Sequence, residues 1–220
     1  MSSEPLRERG KARRHAEIVG AAASLWRDQG MANVSLNQIA AAAEVAPQTV
    51  YNLIGGLDAI GFAVLKVALE NMDEAYSTAT AQGVQFALES ARISVGTFTA
   101  DAGLYRQILV RIPQVLFNGV HLGRDTADIM IKAMNQAYAA GEIYGDIDPE
   151  RLGRTMYVNY LGALYDWACG DSGDADFLRA AEIAVLAPAA ACASDAVRPA
   201  LNAKLFEALS RPATVVAIGE

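Results

Sequence analysis

The sequence is poor in the residues that most chemistry needs. Two cysteines and two histidines occur in 220 residues. Cys169 and Cys192 are too few for a disulfide scaffold, and reduced thiols in a cytoplasmic chain are the simplest account. No spacing of His, Cys and carboxylates makes a metal site, and His121 stands alone in "NGVHLG", where a histidine is more often structural than a ligand. There is no glycine loop to cradle a phosphate, no nucleophile elbow and no catalytic carboxylate pair, so neither an enzyme nor a cofactor is expected. A run of about 18 uncharged apolar residues is also missing, so no membrane partner is expected. The first residues, "MSSEPLRERGKARRHAEIV", lack the apolar stretch of a secretory leader. Alternating β-branched segments are scarce, which argues against strands.

Negative charge is in excess, with a net of −7, but it is unevenly spread. Residues 1–56 carry six Lys/Arg against five Asp/Glu, and residues 57–220 carry twelve against twenty. The basic excess sits at the start, in Arg7, Arg9, Lys11, Arg13 and Arg14 against Glu4 and Glu8. An acidic body repels a polyanion, whereas a basic arm on a nearly neutral head approaches one. Taken alone, such an arm is most simply a solvated, disordered tail.

What is abundant is helical periodicity. Apolar residues recur at three and four, and about ten helices are predicted, making the chain all-α. The first runs from about Lys11 to Gln29, with Ile18, Ala22, Leu25 and Trp26 inward and Gly30 as its stop. The fourth spans about Leu57 to Thr78, with Ile60, Val64, Ala68, Met72 and Tyr76 near one face. The fifth ends near Thr99, Pro113 ends or kinks the sixth, and Gly141 ends the seventh. The eighth is bounded by Asp148 as N-cap, Pro149 at its first position and Gly170 as stop. The ninth is disturbed by Pro188, and the tenth covers about Pro199 to Leu209.

Between the first and fourth helices lies "VSLNQIAAAAEVAPQTVYNLIGG". Ser35 followed three residues on by Gln38 is a capping box, so a helix starts there. It ends near Ala43 or Glu44. Pro47 suits the first turn of a second helix, because its missing N–H would have no partner. Within that helix Val50, Leu53 and Ile54 share the buried side, Gln48, Thr49 and Asn52 lie opposite, and Tyr51 flanks them. Two short helices joined by a tight turn, the second with a polar edge, fit a helix-turn-helix DNA reader. Gln and Asn pair bidentately with adenine edges, a Thr methyl meets thymine, and hydroxyls suit phosphates. An ordinary helical corner is the alternative.

The chain resembles the tetracycline-repressor (TetR) family of bacterial regulators. The similarity is densest from about Arg14 to Leu65, in "AEIVGAAASLWRDQG", "VSLNQIAAAAEVAPQTVY" and "LDAIGFAVLKVALE". It returns in "AYAAGEIYGDIDPERLGRTMYVNYLGALYDWACGD". Four features depart from the family pattern. Glu44 stands where glycine is usual in the turn, and Ala46 where serine caps the reading helix. Leu53 and Ile54 replace an aromatic pair, and Leu57 or Asp58 replaces a phosphate-binding lysine, which implies fewer phosphate contacts.

The resemblance implies two domains, a head at 1–56 with its basic arm and a ligand-binding, dimerising body at 57–220. It implies a homodimer that binds palindromic double-stranded operator DNA and is released by a small-molecule effector. Arg13, Arg14, Ser35, Gln48, Thr49, Tyr51 and Asn52 are the DNA-binding candidates. Apolar and aromatic residues of the body supply the pocket candidates Phe86, Phe98, Tyr105, Leu109, Phe117, Met130, Met134, Tyr138 and Tyr157. The eighth helix is apolar nearly all round, so it needs cover on several sides. With the ninth it suggests a four-helix dimer interface through Leu152, Met156, Tyr160, Leu164, Trp167, Phe177, Ala181 and Ala184. A central helix in a monomer core is the alternative there. The alternative for the whole chain is a dimer of this fold that no longer binds DNA tightly.

Overall fold

A computed structural model of the chain describes residues 4–112, 125–170 and 172–210. Among them are ten α-helices: α1 (Glu4–Gln29), α2 (Leu36–Ala42), α3 (Pro47–Leu53), α4 (Leu57–Thr78), α5 (Gly83–Thr99), α6 (Ala102–Arg111), α7 (Asp128–Ala139), α8 (Pro149–Cys169), α9 (Asp174–Cys192) and α10 (Arg198–Ser210). The only β-type pairing among the described residues is an isolated antiparallel bridge between Ile143 and Ala193. The protein is therefore all-α, as the periodicity predicts. The arm differs from expectation: α1 begins at Glu4, not Lys11, so the basic stretch is helix rather than disordered tail. Arg, Lys, Glu and Ala all have high helix propensity, which carries the helix outward past its buried part. Pro188 lies inside α9, which continues through it to Cys192. Pro113, Phe117 and His121 lie outside the described residues.

Contacts divide the chain into two compact units, Met1–Glu70 with Asp101–Ile112, and Asn71–Ala100 with Pro113–Glu220. This packing division differs from the two domains that the resemblance implies, with their boundary at residue 56. It assigns α6 and most of α4 to the same unit as the helix-turn-helix.

In the first unit, Ile18, Ala22 and Trp26 of α1 are wholly buried, as are Ile39 of α2, Val50 of α3, Ile60 and Leu65 of α4, and Ile108 and Leu109 of α6. Gly30 ends α1 at φ 82°, a left-handed value that suits glycine. Three polar links fasten α6 here. The Arg27 guanidinium meets Asp101 at 2.6 Å, Met31 N–H donates to Gln107 Oε1 at 2.5 Å, and Arg111 meets Asp58 at 2.7 Å.

In the second unit, α8 is the central helix and packs against α7 and α9. Its start follows the predicted chemistry: the Asp148 carboxylate accepts from Glu150 and Arg151 N–H, with Pro149 in the first turn. Gly170 ends it at φ 90°. Trp167 stacks on Phe177 of α9 at 5.0 Å between ring centres, and its indole N–H donates to Asp174 at 2.7 Å. Sequence reading missed one cap: the Glu142 carboxylate accepts from Val84 N–H at 2.9 Å, at the start of α5.

Candidate nucleic-acid interface

The capping box forms as expected. Ser35 Oγ accepts from Gln38 N–H at 3.3 Å, and Gln38 Oε1 accepts from Ser35 N–H at 2.9 Å. Two otherwise orphaned donors of α2 are satisfied, which fixes where the helix starts. Glu44 then turns the chain with φ 53°, the one positive value at a non-glycine among the described residues. An L-residue there carries a steric penalty of about 1–2 kcal/mol. Ala46 caps α3 without a side-chain hydrogen bond, and Pro47 takes the first helical position. Replacing Glu44→Gly is expected to raise stability by roughly 0.5–1 kcal/mol, less than the steric relief because glycine is freer when unfolded. An unchanged or lower urea midpoint would show that the turn is not strained there.

Val50 anchors α3, wholly buried, with Leu53 and Ile54 half-buried beside it. The opposite edge is open. Gln48 and Asn52 are exposed, Thr49 is half-buried, and Tyr51 is 64 % exposed. Gln48 Nε2 donates to Asn52 Oδ1 at 2.9 Å, so the two amides form one linked edge. Ser35 is exposed too, its hydroxyl already engaged in the cap.

Arg13 and Arg14 are exposed on α1, and Arg13 pairs with Glu17 at 3.5 Å. Both arginines line an open groove of about 640 Å³ whose other wall is Ala42 to Val45, at the turn leading into α3. Six of the seven DNA-binding candidates thus lie on α3 or beside the turn before it, Thr49 less open than the rest, and Ser35 stands at the far end of α2. Asp58, which with Leu57 stands where the resemblance leads one to expect a phosphate-binding lysine, is held by Arg111.

The pocket candidates are divided. Phe86, Phe98, Met130, Met134 and Tyr157 are buried in the second unit. Tyr105 and Leu109 belong to the first, where burial and Asp101 push the Tyr105 hydroxyl pKa upward. Tyr138 is exposed, its hydroxyl donating to the Gly145 carbonyl at 3.3 Å. Ser94 and Thr126, which no sequence pattern marks, set hydroxyls beside the buried group. Ser94 meets Tyr160 at 2.5 Å, and Tyr157 donates to Thr126 at 2.5 Å, all four residues being buried. Burial raises the Tyr160 pKa well above its ordinary value, so that hydroxyl stays neutral. Among the described residues no group of His, Cys, Asp or Glu gathers where a metal ion would sit.

All eight expected interface residues, Leu152, Met156, Tyr160, Leu164, Trp167, Phe177, Ala181 and Ala184, are buried within the single chain. They form the side of α8 and α9 turned toward the core of the same chain, because the most apolar face of a helix is claimed first by the core. Left open on the same helices are Thr155, Val158, Gly162 and Asp166 of α8, and Leu178 and Ala187 of α9. Val158 is 52 % exposed.

Residues 18–53 match the family described as bacterial regulatory proteins, tetR family. Whole-chain likenesses among solved structures agree in fold. SmeT, the repressor of the Stenotrophomonas maltophilia multidrug efflux pump SmeDEF, is 22 % identical with TM-score 0.61, over 83 % of this chain and 92 % of that one. A SmeT–triclosan complex gives 22 % and 0.59, over 84 % and 94 %. TylP, a TetR regulator from Streptomyces fradiae, gives 16 % and 0.59, over 91 % and 99 %. No curated protein matches the chain by sequence.

Proposed function

We propose that this chain is a TetR-family transcriptional regulator and acts as a dimeric repressor released from a palindromic operator by a small, largely apolar or aromatic effector. The observation that carries the reading is the open amide-and-tyrosine edge of α3, on a helix pinned by Val50. In that edge the Gln48–Asn52 bond leaves Gln48 Oε1 and Asn52 Nδ2 free to face N6 and N7 of an adenine. Thr49 meets an adjacent thymine methyl, and Tyr51, Arg13 and Arg14 meet phosphates. Two copies of α3, about 34–36 Å apart, then enter successive major grooves.

The dimer forms through the open face of α8 and α9. Thr155, Val158 and Gly162 succeed one another at helical spacing, with Leu178 and Ala187 on the neighbouring helix. Replacing Val158→Asp is expected to weaken the dimer at least ten-fold, a shift visible as monomer in analytical ultracentrifugation at micromolar concentration. A dimer as tight as the wild type would move the interface elsewhere.

The effector site is in the helical body, built on Phe86, Phe98, Met130, Met134 and Tyr157. Its buried polar groups are the neutral hydroxyls of Ser94, Thr126 and Tyr160, which favours an uncharged ligand. A complex of SmeT with triclosan, an aromatic molecule, is consistent with such a ligand class. The effector acts by binding the DNA-incompetent arrangement better, and operator DNA must weaken effector binding by the same factor. This role places the protein in the cytoplasm, with no catalytic activity of its own.

Electrophoretic titration against the DNA upstream of its own gene tests the reading. A saturable shift carrying two protomers per site is expected. No shift at micromolar protein would favour the second reading, a dimer of this fold without tight DNA binding, to which the acid at Asp58 lends support.

A further inference from the structure

From Arg7 onward α1 is helix for about three turns before any residue of it is buried. From Arg7 to Arg14 every side chain is exposed, and burial begins only at Ile18 and Val19. This stretch holds five cations, Arg7, Arg9, Lys11, Arg13 and Arg14, against the single acid Glu8. The remainder of the head, residues 15–56, holds Arg27 against Glu17, Asp28 and Glu44. The head's excess of positive charge therefore lies in this arm.

The helical register gives the arm a direction. Arg7, Lys11, Arg14 and Ile18 follow one another at spacings of four, three and four, so they share one side of α1. Ile18 is wholly buried in the head. The side of the helix that packs into the head at Ile18 therefore carries cations where it overhangs. Arg14 also lines the groove whose opposite wall is Ala42 to Val45, the turn that leads into α3. Glu17 and Glu44 line the groove too and repel a phosphate from its floor, so the outer cations, not the groove, offer the contact. From Arg7 to Arg14 the helix rises about 10 Å. Arg7 and Lys11 are about 6 Å apart along the helix, enough for the two side chains to reach separate phosphates of one strand.

We propose that the N-terminal overhang of α1 is a preformed clamp on the DNA backbone, in which Arg7 and Lys11, continuing from Arg14, hold phosphates flanking the half-site read by α3. It rests on the reading of α3 as a DNA-reading helix. It goes beyond that reading by assigning the arm its own contacts and making its helical form part of the affinity. A disordered arm of the same charge must be ordered on binding, whereas this one already is.

Fluorescence anisotropy of the full-length protein on its operator, titrated across salt concentrations, tests the proposal with two variants. Arg7→Ala/Lys11→Ala is expected to lower the magnitude of the log–log salt slope by about 1.8, since each lost phosphate contact removes about 0.9. Affinity should fall by roughly ten-fold or more on specific and non-specific DNA alike, leaving base preference unchanged. Ala12→Pro breaks the overhang while keeping all five cations. It is expected to weaken operator binding several-fold. A slope unchanged in the double variant, with wild-type protein binding its operator, overturns the clamp and leaves a solvated helix. Undiminished affinity in Ala12→Pro overturns the preformed geometry. Failure of the wild type itself to bind any DNA would instead defeat the assignment of α3, a separate outcome.

Discussion

Replacing Gly153→Ala is expected to destabilise the protein by about 3 kcal/mol, at the upper end of what overpacking a core does. Gly153 sits in α8 where α7 crosses it. A methyl group there would lie 2.6 Å from Ile131 Cα, 2.7 Å from Ile131 N and 2.8 Å from Met130 C. All three are backbone atoms of α7, so no rotamer change relieves the clash. Either the helices part, opening space around Met130 and Met156, or α7 shifts along its axis. Gly96 in α5 provides the control, because a Cβ there meets nothing within 4 Å. Gly96→Ala should stabilise by roughly 0.5–1 kcal/mol, through helix propensity alone. For a chain of this size the two variants should melt on opposite sides of the wild type, Gly153→Ala by roughly 6–12 °C below it. Equal melting temperatures for Gly153→Ala and wild type would mean that α7 and α8 do not approach as closely as described.

The second large effect concerns function with little change in stability. Tyr51→Ala and Asn52→Ala should each reduce operator affinity by roughly 5- to 150-fold, corresponding to the loss of one good base or phosphate contact. Both side chains are exposed, so folding stability should move by no more than about 0.5 kcal/mol. Asn52→Ala also frees Gln48 from its 2.9 Å partner, so its loss should be greatest for operators carrying adenine at the contacted position. Tyr51→Phe, which keeps the ring and removes the hydroxyl, separates a phosphate contact from packing against the sugar. Isothermal titration or anisotropy at fixed salt reads these changes. Full affinity in both alanine variants would remove α3 from the interface.

Local chemistry was the most legible part of the sequence. Ser35 with Gln38, Asp148 with Pro149, and Gly30 and Gly170 each act within a few residues, so the start of α2, both ends of α8 and the C-terminal end of α1 are legible directly. Less legible was which surface a buried residue faces. Leu152, Trp167 and Phe177 announce burial by their apolarity, but apolarity does not say whether the same chain or a partner covers them. The open face is marked by Thr155, Val158 and Gly162, which look unremarkable in sequence. Likewise Gly153 and Gly162 are the same residue on the same helix, yet one meets backbone and the other open space. Tyr105 and Leu109 were grouped with the body because α6 follows α5 along the chain. They pack with the head because Gln107, Asp101 and Arg111 reach back to Met31, Arg27 and Asp58, pairings between 53 and 76 residues apart. No local pattern encodes such links. The arm was misjudged for the opposite reason, since clustered charge suggested disorder where helix propensity prevails.

The claim on which the rest depends is that α3 of each copy enters a major groove. Hydroxyl-radical footprinting of the wild-type protein on the DNA upstream of its own gene tests it most directly. Two protected stretches, related by a twofold axis and centred about one helical turn or a whole multiple of it apart, are the predicted result. Uniform cleavage at saturating protein, or a single protected stretch without symmetry, would contradict it.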